Sequence, residues 1–199
     1  MAPVAVLNHS DAARLQAVLD GIADEETAAR WGYLDQLRYF CDGADTQLLE
    51  AIGGKRFTTH TVLLGLLDTA MEYGGPIAVR SAPEHQRVPV GLVVQLLECL
   101  LCNATSNLKP FIKAPNGVKN LVGTLSHYEE LMYDAELGPD CLDRACNVLC
   151  YCTFYHPSPA TTVFMAADGK KAAAAARSPP PLRLHGSLST TKKPRGSPR

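Results

Sequence analysis

Long apolar runs are missing from this chain of 199 residues. The most apolar stretch, Val88 to Leu101, is broken by Gln95 and Glu98. It is shorter than the roughly 20 residues that a membrane-crossing helix needs, so no membrane role is expected. No stretch of useful length alternates apolar and polar residues as a half-buried strand would. Aromatic residues make up only 7%, with one tryptophan. Met1 to Ser10 lacks a basic region followed by an apolar core, and a secretory leader is therefore not expected. Acidic residues vanish after Asp168, which leaves one end of the chain with charge of a single sign. Catalytic signatures are missing too: there is no G-x-S-x-G, H-E-x-x-H, Walker-type or G-x-G-x-x-G pattern. Gly53-Gly54 and Gly74-Gly75 read as helix stops rather than phosphate cradles. The sequence predicts no enzymatic activity, no cofactor and no small-molecule substrate.

What is present is a segment that occurs three times. Gln36-Leu37-Arg38-Tyr39-Phe40-Cys41 leads into Leu48-Leu49-Glu50-Ala51-Ile52-Gly53-Gly54. Cys99-Leu100-Leu101-Cys102-Asn103-Ala104 leads into Phe111-Ile112-Lys113-Ala114-Pro115-Asn116-Gly117. Val148-Leu149-Cys150-Tyr151-Cys152-Thr153 leads into Phe164-Met165-Ala166-Ala167-Asp168-Gly169. Each copy reads as an apolar helix, a polar break, a short second helix and a glycine stop. Helical repeats of this kind bury their apolar faces against each other, because no unit can do so alone.

Apolar residues at helical spacing place helices around 11–22, from Asp24-Glu25-Glu26 to Asp42-Gly43, and over 46–52, 61–73, 91–104, 106–113, 118–125 and 141–154. Residues 74–90, with three prolines, and 126–140, rich in acids, read as inserted loops. The fold expected over 1–169 is all-α.

The middle third resembles the armadillo repeats of the wider armadillo/HEAT-like helical superfamily. Leu96-Leu97-Glu98-Cys99-Leu100-Leu101-Cys102-Asn103 is similar to the family's long third helix and its Leu-x-x-Leu-x-Asn ending. Phe111 to Gly117 is similar to the next first helix and glycine turn, and Val118 to Leu125 to the second helix. The resemblance implies a short right-handed α-solenoid of about three units. It also implies a protein–protein interaction scaffold or adaptor. The glycine stops at 54, 117 and 169 are further apart than the roughly 40–47 residues of such repeats, an excess that the two loops account for. In the family, an asparagine on the third helix binds the main chain of an extended peptide. Asn103 stands at that position, its equivalents are Phe40 and Cys152, and Cys99 lies one turn earlier. These four, with His156 just beyond the third copy, are the candidate contacts for a protein partner.

Seven cysteines, an odd number, without a leader point to reduced thiols and a cytoplasmic or, alternatively, nuclear protein. Cys99 and Cys102 form a C-x2-C pair, and Cys146, Cys150, Cys152 and His156 cluster. Structural zinc sites carry such pairs on turns, whereas these lie at i, i+3 and i, i+4 inside apolar helices. They read as small buried thiols, and no metal is expected.

Eight Lys or Arg residues and no acid follow Gly169, so that tail carries +8 while residues 1–168 carry −9. Its Pro, Ser, Lys and Arg composition predicts a disordered tail over 170–199. Lys192, Lys193, Arg195 and Arg199 are its candidate contacts for an acidic polymer, either nucleic acid or an acidic cytoskeletal surface.

Overall fold

The computed structural model describes residues 7, 9–24, 30–54, 56–114 and 116–156. Helices α1 (His9–Ala23), α2 (Arg30–Cys41), α3 (Thr46–Gly53) and α4 (Thr59–Glu72) come first. They are followed by α5 (Val90–Cys102), α6 (Leu108–Lys113), α7 (Gly117–Ser126), α8 (Tyr128–Tyr133) and α9 (Gly138–Tyr155). No strand occurs among the described residues. The all-helical class expected from the sequence is therefore present.

Local chemistry sets several boundaries. Asp45 caps α3 by accepting a hydrogen bond of 2.8 Å from the Leu48 amide. Gly74 follows α4 in the left-handed region at φ +94, and two backbone bonds close the helix end. They run from Gly74 N to Met71 O (3.0 Å) and from Gly75 N to Ala70 O (2.9 Å), the Schellman pattern that satisfies carbonyls left without helical partners. Gly53, the last residue of α3, is required for a packing reason. A side chain at Gly53 would collide with the amide of Asn107, which passes directly over it.

Asn107 is buried, and its amide nitrogen donates one hydrogen to Leu49 O and the other to Leu100 O, each at 3.0 Å. It thereby ties the end of α3 to the end of α5. Its own segment is a 3-10 turn, Thr105–Asn107, where the sequence suggested the start of an α-helix.

The apolar faces meet in two rows. Helices α1, α4 and α7 touch in succession, and α2, α5 and α9 do the same. Contacts α1–α2, α4–α5 and α7–α9 join the rows. At the centre, α5 buries Val90, Val93, Val94, Leu96, Leu97, Leu100 and Leu101. Polar bonds supplement this packing: Asp68 on α4 accepts from Asn116 (3.1 Å) and Asn120 (2.8 Å) at the start of α7.

The two segments read as loops are more structured than expected. Residues 74–90 contain 3-10 turns at Ala78–Ser81 and Glu84–Gln86, while 126–140 contain α8 and the first turn of α9. Periodicity missed them because each is a single short turn or two, with few apolar residues to repeat. They meet each other: Arg80 makes two parallel hydrogen bonds, at 2.7 and 2.8 Å, to the carboxylate of Asp134. Asp134 Oδ1 also accepts from the amides of Glu136 (3.0 Å) and Leu137 (2.7 Å), shaping the approach to α9. The guanidinium of Arg80 and these amides hold the Asp134 carboxyl well below the usual carboxylate range.

Candidate functional site along the second row

Four partly buried side chains of α5 face α9 across a groove. Along α5 these are Gln95, Glu98, Cys99 and Cys102, at spacings of three, one and three residues, so they form one stripe. Along α9 the stripe is Asp140, Arg144, Asn147 and Tyr151. Between them lies a groove of about 560 Å³, lined among others by Gln95, Glu98, Asn103, Arg144 and Tyr151. A second hollow of about 520 Å³ shares Gln95 and Arg144 with it. Trp31 and Arg38 of α2, with Arg80 and Arg87 from the first insertion, line its far side.

Glu98 organises the groove floor. It accepts from Arg144 Nη1 at 2.7 Å and from Asn147 Nδ2 at 2.9 Å, which bridges α5 to α9. Arg80 is neutralised by Asp134 and lies 3.4 Å from Glu136. Arg87 donates to Ala82 O at 3.0 Å. At 43% exposure, Trp31 is a broad apolar surface at the edge of this polar lining. The arrangement offers hydrogen-bond donors and acceptors beside an aromatic face, a combination suited to holding an extended polar chain.

Beside the groove the Cys99 thiol of α5 reaches the backbone of Cys41 at the end of α2. Cys41 is buried and Cys99 half-buried above it. Cys99 Sγ lies 3.9 Å from Cys41 O, and Asn103 Nδ2 lies 3.8 Å from the same sulfur. Hydrogen bonding from Cys41 draws the Cys99 thiol down to about 7, against burial and the charges of Asp42 and Glu98, with Asn103 adding to the effect. The Cys41 thiol is pushed far up, by its bond to Cys99 first and burial second. Burial raises Cys102 and Cys152 to about 12 each and Cys141 to about 11. Among the described residues no group of three or more His, Cys, Asp or Glu side chains is arranged to hold a metal ion. No single helix among them is long and apolar enough to cross a membrane.

Of the residues singled out from the sequence, Asn103 and Cys99 come together in the groove. Asn103 is exposed at the end of α5, and its amide turns back onto Cys99. Phe40 is elsewhere: the Arg14 guanidinium sits 5.6 Å from its ring centroid, between α1 and α2. Cys152 is a correction, because it is fully buried and presents no surface to a partner. Its position in the repeat is equivalent to that of Asn103, but α9 continues to Tyr155 and keeps residue 152 on its inner face. His156 follows α9, bonds through its amide to Cys152 O at 3.1 Å, and does not line the groove. Lys192, Lys193, Arg195 and Arg199 lie outside the described residues, as do Phe164 to Gly169. Glu98, Arg144, Asn147 and Trp31 were missed. Glu98 among the apolar residues of α5, and Arg144 and Asn147 three apart on α9, carried a polar signal, whereas Trp31 carried none of this kind.

No family model, no curated protein and no solved structure matches this chain.

Proposed function

We propose that the chain is a short, armadillo-like right-handed solenoid that acts as a non-enzymatic protein–protein interaction scaffold. Its partner surface is the outer face of α2, α5 and α9. The succession of contacts α1–α4–α7 and α2–α5–α9 supports the stacked reading, since each helix leans on its counterpart in the next unit. One observation carries the function: two hollows that share Gln95 and Arg144 lie along successive long helices, one floored by the Glu98–Arg144–Asn147 bridge and the other edged by Trp31. An extended segment of a partner protein would lie across them, exchanging hydrogen bonds with Gln95, Asn103 and Arg144.

A second reading rests on the charge division between 1–168 and the +8 tail. There the tail holds an acidic polymer and the helical part is a carrier. The two readings separate in one experiment. Partners captured from extract by the full chain are tested against Arg144→Glu and against a chain ending at Gly169. In the scaffold reading, Arg144→Glu weakens capture about tenfold or more, as charge reversal within an interface does, and removal of the tail changes little. Loss of capture on removing the tail, with a steep salt dependence, would establish the tail reading instead.

A further inference from the structure

We propose that the chain binds a second copy of itself end to end, the open flank of α2 in one copy seating on the open flank of α9 in the next. The inference rests on the stacked reading of the fold given above. In the row α2–α5–α9 the middle helix touches a counterpart on each side, and α2 and α9 stand at the ends, each packed in the row against α5. The open flank of α2 carries Gly32, Gln36 and Tyr39, spaced by four and three residues and all exposed. That of α9 carries Asp143, Cys146, Cys150 and Phe154, spaced by three, four and four. Neither stripe lines the groove or the hollow beside it.

Three observations select a second copy as the occupant. An end unit of a stack stays single when its outer surface is polar, yet each open flank here carries a large aromatic side chain. Tyr39 is 80% exposed and Phe154 is 78% exposed, with the Tyr155 ring edge-on to Phe154 at 5.0 Å. The two flanks also differ in a complementary sense. The end of α9 offers a hollow of about 580 Å³ lined by Cys150, Tyr151, Thr153, Phe154 and Tyr155. The α2 flank offers the projecting ring of Tyr39, and beside it Gly32, where an added methyl would meet nothing within 4 Å. Within the row, a long helix is covered by its counterpart in the next unit, and α2 holds the same place in its unit as α9 does in the last. Finally, the whole chain carries a net charge of only −1, so copies repel each other weakly.

Because one face meets a different face, the contact is heterologous and builds an open chain of copies, not a closed pair. A contact of one helix on one helix stays below the roughly 1,200 Å² of a standard interface, so association is weak and rises with concentration.

Sedimentation of the full chain under reducing conditions tests this. The average mass of the unsubstituted chain should rise with concentration without levelling at that of a pair. Tyr39→Glu keeps an intact α9 flank and Phe154→Glu keeps an intact α2 flank, so each alone should stay monomeric. Mixed in equal amounts, the two should form a pair and nothing larger. Tyr133→Glu is the control: Tyr133 is 79% exposed but lies on α8, outside the row, and its loss should leave association unchanged. An unsubstituted chain that is monomeric up to about 1 mM, where only contacts weaker than about 4 kcal/mol escape notice, would overturn the proposal. So would pairing of Tyr39→Glu by itself, which signals an α9–α9 contact, or an equal loss in Tyr133→Glu. The unsubstituted chain decides the matter even if a variant does not fold. A monomer that still captures a partner through Arg144 removes the end-to-end contact and leaves the groove reading in place.

Discussion

Around α5, seven buried side chains meet the helices on either side, and the contact is almost wholly apolar. Where the segment 76–90 meets 134–137, the contact is a two-pronged ion pair, Arg80 to Asp134, with backbone amides completing the carboxylate shell. The first junction gains from every methylene it removes from water, so it is broad and insensitive to small errors in angle. The second gains only if a guanidinium and a carboxylate, 54 positions apart in the chain, arrive in register. Repetition of apolar positions is enough to make the one. The other needs the rest of the fold in place first.

The largest effect is expected at the apolar junction. Leu97 is fully buried, and Leu97→Ala should cost about 2–5 kcal/mol through lost transfer energy and a residual cavity. Urea unfolding monitored by circular dichroism measures it, and a cost below about 1 kcal/mol would remove α5 from the centre of the core.

Asn107→Ala tests the buried polar tie between α3 and α5. It leaves the carbonyls of Leu49 and Leu100 without this donor and should cost roughly 2–3 kcal/mol. Gly53→Ala should fall in the same direction, because the new methyl occupies the space of the Asn107 amide. If Gly53→Ala is neutral, Asn107 does not pass over that helix end.

The polar junction should be worth least at neutral pH. Arg80 is about a third exposed and Asp134 13% exposed, so solvent screens part of the attraction. Asp134→Asn should cost about 1–2 kcal/mol at pH 7. Its pH dependence sharpens the contrast. The folded chain holds the Asp134 carboxyl below its ordinary value, so its contribution is complete above about pH 4 and fades as pH falls further. Buried His60 acts earlier: burial lowers its folded value below 6.5, so the unfolded chain binds the proton more readily and stability declines as pH drops below that value. Melting temperature should therefore fall in two stages on acidification. Asp134→Asn should flatten the lower stage while leaving Leu97→Ala equally costly at every pH. A lower stage unchanged in Asp134→Asn would sink this account of the junction.

How much was legible follows from the same physics. Leu15, Leu37, Leu67, Leu97 and Leu149 announce themselves because a helix returns each apolar side chain to one face every three or four residues. The candidate groove was only half legible. Asn103 and Cys99 carry a repeat signature, while Glu98 and Arg144 acquire meaning when α5 and α9 stand side by side. Cys152 was misplaced because equivalence in a repeat says nothing about how far its helix continues. Short helices such as α8 hold too few turns for periodicity to rise above chance.

Composition and spacing determined by themselves that this chain would be helical, that its apolar stripes would need neighbours, and that its charge would divide sharply near residue 169. Those are local properties: they depend on which residues recur within a few turns. Tertiary structure alone decided that the two insertions lock together through Arg80 and Asp134, that Asn107 closes over Gly53, and that Cys99 Sγ lies against the Cys41 carbonyl. Each of these depends on directional contacts across more than fifty residues of chain, which no short window of sequence contains.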